Sequence, residues 1–316
     1  DGRATEGITT IYGKTYYFSY GWMHTDYTMT QDGVMYYFGT DGNLEISKDL
    51  STDGWFKTSK DQYYIKDGAV VKRQFITVDG FIYYVDYDGS VRKDTTFSMY
   101  DGKTGKWYTY YAGKDGRLVT GWYTDEYDDR YYYDQNGRRA DGVTTIDGNT
   151  YYFQNGTMRT DYTIIEDGCF YYFGKEGKQE VKKDLSTDGW IKCKEDWFYA
   201  KDGKLVQNQL VTVGKYIYYM DYSGKMVSSQ YVWIYEQESG NRYIYYIDKD
   251  GHAVTGWMQQ AGGRRYYFEQ DGRGANGVKT IEGKTYYFSD GVMQTSCSTV
   301  EGGYIYYFGA DGVQQT

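Results

Sequence analysis

The chain has 316 residues and a formal net charge of −9, and it contains 43 tyrosines, 41 glycines and no proline. The acidic balance disfavours a nucleic-acid partner, because like charges on the protein and the phosphate backbone repel each other. No apolar run of about 18 residues is present, so no membrane-spanning helix is predicted. The many tyrosines favour a thin structure in which rings pack while their hydroxyls stay in water.

The predicted elements along the chain are short β-hairpins, and residues 147–156 show the pattern. Asp147-Gly148 and Asn155-Gly156 bracket an aromatic run that begins at Tyr151. Asp-Gly and Asn-Gly pairs favour type I′ turns, which need positive φ at both central residues. Aromatic and β-branched residues favour strands. Each unit is therefore a short β-branched strand, a turn, an aromatic strand and a glycine turn, and no helical periodicity is present.

Two nested periods organise these units. The aromatic pairs begin at residues 16, 36, 63, 83, 110, 131, 151, 171, 198, 218, 245, 266, 286 and 306. The steps of 20, 27, 20, 27, 21 and 20 residues are then repeated, so that whole sequence motifs recur after 135 residues. The sequence therefore predicts one continuous array over residues 1–316, with cassettes at about 7–141, 142–276 and a partial third at 277–316.

A fixed period of this length is typical of a solenoid or array. A two-stranded hairpin is marginally stable alone in water, so each one must cover the apolar face of its neighbour. We therefore predict an all-β, elongated β-hairpin solenoid with repeats of about 20–27 residues and no helices. The two longer units are expected to bend its axis.

The phrases at 115–122 and 250–257, each an Asp-Gly turn followed by Gly-Trp, resemble the glycine–aromatic repeats of the glucan-binding and cell-wall-binding family. Residues 66–80 and 136–148 are similar to units in the glucan-binding domains of glucansucrases. The resemblance covers the whole chain. It implies a secreted, extracellular, cell-surface-associated module that binds polysaccharide, and a longer parent protein such as a glucansucrase.

Three branches of that family imply different ligands. Glucansucrase repeats hold α-glucan, choline-binding repeats hold the choline of teichoic acids, and clostridial toxin repeats hold cell-surface glycans. The mixed unit lengths and the phrase from Gly68 to Lys72 favour α-glucan of the dextran type. A choline-binding cell-wall anchor and a toxin-type receptor module remain the alternatives, beside a plain structural spacer.

Sugar rings stack on exposed aromatic plates while polar groups bind their hydroxyls. Trp122 and Trp257 are the best single plates, and we expect them at hairpin junctions beside Tyr132 and Tyr267. Either tryptophan can instead simply seal its junction. Since side chains alternate along a strand, one tyrosine of each pair is expected inside and the other freer. Three such pairs complete the aromatic candidates: Tyr16 and Tyr17, Tyr151 and Tyr152, and Tyr286 and Tyr287.

The resemblance also implies polar partners for a stacked sugar. Some glucan pockets of the family combine a tyrosine with a glutamine and a lysine after the turn glycine. Here Lys72 follows Gly68 by four residues, and Gln179 follows Gly177 by two. No unit carries both polar side chains, so the sequence leaves open which units bind.

The sequence does not offer the combinations of residues that a catalytic or metal-binding site needs. The chain has two histidines, His24 and His252, and no Ser-His or Cys-His constellation can be assembled. The three cysteines do not recur with the period, so no disulfide framework or metal site is predicted. The acidic run at 125–129 has no acidic counterpart one cassette later. We therefore predict a non-catalytic, monomeric binding module without cofactor or metal.

Overall fold

A computed structural model describes residues 4–236 and 240–315, and these residues form strands and turns without any helix. The chain folds as two compact units, one that ends at Arg159 and one that begins at Thr160. No described segment is a helix long and apolar enough to cross a membrane. The predicted cassette boundary at 141/142 lies inside the first unit, and the single continuous array stays a prediction.

The first unit contains strands β1–β18. They are Gly7–Ile11 (β1), Lys14–Ser19 (β2), Trp22–Met23 (β3), Tyr27–Gln31 (β4), Val34–Phe38 (β5), Leu44–Asp49 (β6), Gly54–Lys57 (β7), Gln62–Lys66 (β8), Ala69–Val70 (β9), Gln74–Val78 (β10), Phe81–Val85 (β11), Thr95–Asp101 (β12), Lys106–Ala112 (β13), Gly121–Thr124 (β14), Arg130–Tyr133 (β15), Gly142–Ile146 (β16), Asn149–Gln154 (β17) and Thr157–Met158 (β18).

The second unit contains strands β19–β35. They are Tyr162–Glu166 (β19), Cys169–Phe173 (β20), Gln179–Asp184 (β21), Gly189–Cys193 (β22), Asp196–Lys201 (β23), Lys204–Leu205 (β24), Gln209–Val213 (β25), Tyr216–Met220 (β26), Gln230–Glu236 (β27), Asn241–Ile247 (β28), Gly256–Gln259 (β29), Arg265–Phe268 (β30), Gly277–Ile281 (β31), Lys284–Ser289 (β32), Val292–Met293 (β33), Cys297–Glu301 (β34) and Tyr304–Phe308 (β35).

The repeated unit is an antiparallel hairpin with a tight turn. In the β16–β17 hairpin, Thr144 lies opposite Tyr151, and β18 adds a short third strand on the other edge of β17. Asp147 and Gly148 have φ angles of 48° and 78°, as a type I′ turn requires. The prediction of an all-β hairpin repeat without helices is therefore confirmed over the described residues.

One feature of the sheets was not predicted from the sequence. The stretches ahead of the Trp55 and Trp190 hairpins form full third strands, β6 and β21. A β-bulge shifts their register next to Phe38 and Phe173. A bulge places two residues of one strand opposite one of its partner, so the strict alternation on which the sequence analysis depended does not apply there.

The core consists of small clusters formed between consecutive hairpins. In the first unit, Met35 and Tyr37 of β5 pack with Phe56 of β7 and Tyr63 and Ile65 of β8. The corresponding residues one cassette later do the same in the second unit, and they are Phe170, Tyr172, Ile191, Phe198 and Ala200. Each hairpin thus covers the apolar face of the preceding one within its unit.

The structure shows which ring of each aromatic pair lies inside. The first ring is buried at nine of the fourteen pairs, for example Tyr63 and Tyr151. The second ring is buried at three pairs only, namely at Tyr37, Tyr84 and Tyr172. The second ring is therefore the one that usually remains half-exposed along the seams.

A buried aromatic ring supports most of the hairpins, and Phe153 is an example. Its side chain has 0% exposure and packs with Ile146, Tyr151 and Met158. We expect Phe153→Ala to lower the free energy of unfolding by about 3–5 kcal/mol, because it removes a buried ring and leaves a cavity. Tyr127→Ala removes a ring that is 79% exposed and is expected to change stability by less than about 0.5 kcal/mol. Urea unfolding of both variants measures the difference, and equal effects would contradict this view of the core.

A second stability prediction concerns Asp161, which precedes β19. Its carboxylate accepts hydrogen bonds from Lys194 and from Tyr172 Oη, and these bonds hold its pKa below the usual value. Since the pKa is lowered in the folded state, the stabilisation is present above the unfolded value of about 4 and is lost as the pH falls through the folded pKa.

We expect Asp161→Asn to lower the urea midpoint at pH 7 and to lower it less at pH 2, because the wild-type carboxyl takes up a proton as the pH falls through its folded pKa. Asn208 directly precedes β25, as Asp161 directly precedes β19, and it accepts a hydrogen bond from Tyr219 Oη at 3.0 Å. Asparagine is therefore compatible with the backbone at this position of a hairpin. An equal loss at both pH values would mean that the charge of Asp161 does not stabilise the fold.

Candidate functional site

Trp122 lies at the junction of two hairpins in the first unit. It is the cross-strand partner of Tyr132, and their ring centroids lie 5.3 Å apart with the planes at 65°. The next hairpin contributes Tyr151, whose centroid lies 4.9 Å from the indole at 73°. Three rings from two hairpins thus meet edge to face, an arrangement that stabilises by about 0.5–1.5 kcal/mol per pair beyond burial. Because 37% of Trp122 stays exposed, part of the indole is open to a ligand.

The second unit repeats this arrangement around Trp257. Its cross-strand partner is Tyr267, at 5.3 Å and 69°. Tyr286 of the next hairpin lies 5.0 Å away at 75°. We call each set of three rings a tryptophan triad, made of the tryptophan, its cross-strand tyrosine and the first tyrosine of the next aromatic pair.

Two further triads are centred on tryptophans that the sequence analysis did not select. Trp55 lies 5.1 Å from Tyr64 and 4.9 Å from Tyr83. Trp190 lies 4.9 Å from Tyr199 and 4.8 Å from Tyr218. Both tryptophans are half-buried. The signal was present, because the four tryptophans at 55, 122, 190 and 257 recur every 67 or 68 residues, which is every third hairpin.

A cation lies over the tryptophan in three of the triads. The guanidinium carbon of Arg130 is 4.8 Å from the ring centroid of Trp122, and that of Arg265 is 4.3 Å from Trp257. Lys57 Nζ lies 5.6 Å from the centroid of Trp55. These contacts use the negative face of the indole. A cationic ligand would have to displace them, whereas a neutral polyol can still stack on the remaining ring surface and reach the guanidinium.

The tyrosines predicted to stack on a sugar differ in their solvent exposure. Tyr151 and Tyr286 are 7% and 8% exposed, so they support the tryptophans from below. Tyr132 and Tyr267 are half-buried beside the indoles, and the second rings Tyr152 and Tyr287 are half-buried on hairpins whose cross-strand partners are valines rather than tryptophans. The remaining predicted pair has a different setting, where Tyr17 stacks on Tyr27 at 5.7 Å and Tyr16 contacts Phe18.

The two polar candidates do not lie at a triad tryptophan. Lys72 is exposed and lines a cavity of about 490 Å³ together with Lys60, Asp61 and Asp88. Gln179 is half-buried on β21, opposite Phe173 at the bulge. The two residues also belong to different units, so each of them stays a separate proposal.

Tyr87 and Tyr222 are exposed rings that the sequence analysis missed. They occupy the same turn one cassette apart and are 71% and 81% exposed. Gln207 donates from Nε2 to the carbonyl of Tyr222 at 3.4 Å, and it is the cassette counterpart of Lys72. An exposed ring beside an amide or ammonium side chain can stack on a sugar face and bind its hydroxyls.

Nothing in the described residues supports metal binding or nucleophilic catalysis. No group of three or more His, Cys, Asp or Glu side chains within 4–236 and 240–315 is arranged to hold a metal ion. Asp125, in the acidic run, accepts hydrogen bonds from the backbone of Tyr127 and Asp129 and from Tyr131 Oη, so it organises a turn. Burial raises the pKa of the Cys193 thiol to about 11, which keeps it protonated at neutral pH.

No protein-family model matches the chain. Among curated proteins, glucosyltransferase-I from Streptococcus downei is 30% identical over 333 aligned positions, which cover 92% of this chain and 18% of that protein. Glucosyltransferase-S from Streptococcus mutans serotype c is 28% identical over 241 positions, covering 75% of this chain and 13% of that protein. The chain thus spans less than a fifth of the length of these relatives.

Among solved structures, the autolysin LytC from Streptococcus pneumoniae aligns with a TM-score of 0.34 and 21% identity, over 76% of this chain and 52% of that one. Choline-binding protein F from the same organism aligns at 0.28 and 22%, over 98% of both chains. An alternansucrase in complex with isomaltononaose aligns at 0.22 and 20%, over 92% of this chain and 18% of that one. On the sequence matches, the chain is homologous to one segment of the streptococcal glucosyltransferases.

Proposed function

We propose that this chain is a non-catalytic module that binds α-glucan of the dextran type at the seams between its hairpins. The observation that carries the proposal is the tryptophan triad, in which a partly open indole is held edge to face by two tyrosines. The homology to glucosyltransferases supports the choice of glucan. It also supports placement in a longer, secreted protein that acts outside the cell, such as a glucansucrase.

Binding by stacking explains why the chain repeats its unit. The C–H face of a glucose ring packs on the exposed part of the indole, and nearby polar groups bind its hydroxyls. A millimolar site contributes only about 4 kcal/mol. When several such sites engage one polymer, the apparent affinity rises by about 10²–10⁴ without tighter individual contacts. We propose that the module works as a monomer through these distributed weak sites.

Choline binding is the second candidate, and one local geometry favours it. Trp190 and Trp197 lie 6.0 Å apart with their planes at 86°, and they line a cavity of about 270 Å³ with Tyr218 and Asp250. Rings at right angles beside a carboxylate suit a quaternary ammonium group. Lys192 Nζ lies 5.2 Å from the ring centroid of Trp197, so a cationic ligand would have to displace it. The cations over Trp55, Trp122 and Trp257 oppose this function at the other triads.

Two measurements distinguish glucan binding from choline binding. We expect the protein to be retarded in native gels that contain dextran and to pass through a choline-substituted resin without retention. The reason is that a neutral sugar tolerates the cations over the indoles and a quaternary ammonium does not. Unchanged migration in dextran would exclude the glucan proposal, and specific elution by free choline would support the alternative.

Replacing single tryptophans tests whether binding is distributed over several weak sites. We expect Trp122→Ala and Trp257→Ala each to weaken dextran retardation by a few-fold, and the double variant to weaken it further, because avidity falls with each lost site. Tyr127→Ala is the matched control, since it removes an exposed ring in the turn of the Trp122 hairpin. Complete loss of binding in either single variant, with the fold intact by circular dichroism, would contradict distributed weak sites.

A further inference from the structure

A groove of about 620 Å³ opens in the first unit beside the long β12–β13 hairpin, away from the tryptophan triads. Its apolar floor includes Phe75, Ile82 and Met99, and its rim includes Lys103 and Asn136. Phe75 is held by Tyr84 and Tyr110, at centroid distances of 5.0 Å and 4.9 Å. The Phe75 ring is held in place by two other rings and is still exposed to the groove, so it offers a rigid stacking surface, here called the Phe75 shelf, for the face of a sugar.

One of the charged side chains around this groove has no ion-pair partner. Arg138 donates from Nη2 to Asp101 Oδ2 at 2.7 Å, and its guanidinium carbon lies 4.1 Å from the ring centroid of Tyr108. Asp101 also accepts the backbone N–H of Lys103 at 2.8 Å. The Lys103 ammonium has no ion-pair partner among residues 4–236 and 240–315. The Asp134 carboxylate also lies beside the groove residue Arg138, from whose backbone N–H it accepts a hydrogen bond at 2.9 Å. Lys103 is therefore the charge without an ion pair at the rim, in a chain of net charge −9.

The second cassette keeps the framework of the groove and changes the residues that face a ligand. One cassette later, Arg273 pairs with Glu236 and stacks 4.6 Å from the ring centroid of Tyr243. The sequence there replaces three groove residues, with Leu210 for Phe75, Glu238 for Lys103 and Asp271 for Asn136. Glu238 lies outside the described residues. Since the ion pair is kept and the amide and the ammonium are replaced, those two groups are not needed to hold the hairpins together. The position of Phe75 stays apolar, and Leu210 there packs on the core.

We propose that the groove of the first unit is a separate site for an acidic saccharide, with the ring on Phe75 and a uronate carboxylate at Lys103. The ammonium supplies the complementary charge, and the Asn136 amide lies where it can bind a ring hydroxyl. A uronate combines an apolar ring face with a single negative charge in one unit. Glycerol phosphate carries the charge without a ring, so it leaves the Phe75 shelf unused. This site does not depend on glucan binding at the triads.

The test uses the full chain and titrates tri-galacturonate by calorimetry, with isomaltotriose as the neutral comparison. We expect millimolar binding at low salt that weakens strongly in 1 M salt, where the Debye length falls to about 3 Å. Lys103→Glu places the residue of the second cassette in the groove and is expected to weaken tri-galacturonate binding at least about tenfold. Phe75→Leu is expected to weaken it several-fold through loss of the shelf.

Matched controls separate this site from general charge effects. Lys114→Glu makes the same charge change in an exposed turn that does not line the groove, and it is expected to leave tri-galacturonate binding unchanged. Equal weakening by both lysine variants, an absence of tri-galacturonate binding, or tighter binding of poly(glycerol phosphate) would overturn the proposal. Lys103→Glu is expected to keep dextran retardation, so the two functions fail independently, and loss of both together would contradict a separate site.

Discussion

Within each unit, the packing of a hairpin on the one before it is the interaction on which the rest of the structure depends. A two-stranded hairpin buries too little surface to be stable alone. In both units the buried side chains come from consecutive hairpins, as Tyr37 with Tyr63 and Tyr172 with Phe198 show. Aromatic side chains suit this task because one ring reaches the neighbouring hairpin and buries about 150–250 Å². This requirement accounts for 43 tyrosines in a chain without long aliphatic runs.

The same requirement places rings where a ligand can reach them. At the triads, the tryptophan closes the seam and keeps part of its indole in solvent, whereas Tyr151 and Tyr286 behind it are buried. The support holds the indole in one orientation, so a sugar that stacks on it does not have to order the ring first. The proposed binding surface is therefore the outer layer of the packing that stabilises the fold.

The sequence predicted the hairpins because the turn chemistry is local. Asp147 and Gly148 adopt the positive φ angles that their pairing indicates. The inner ring of each pair was not predictable, because it is set by contact with the next hairpin rather than by alternation within one strand. The triads of Trp55 and Trp190 were missed for a related reason. These tryptophans also follow a glycine, but they come after strands β6 and β21 rather than at the end of an Asp-Gly motif such as 115–122. The glycine and the period of 67–68 residues link them to Trp122 and Trp257.

Comparison of one cassette with the next distinguishes residues that hold the fold from residues free to bind. Positions that keep their chemistry after 135 residues, such as the Arg138–Asp101 and Arg273–Glu236 pairs, stabilise a hairpin in both units. Positions that change sign, such as Lys103 and Glu238, are not needed for packing. A repeat protein can therefore alter one site without disturbing the others, because each hairpin contacts mainly its neighbours. On the proposals made above, four similar triads provide avidity for a uniform polymer, and a groove in one cassette provides selectivity for a different group.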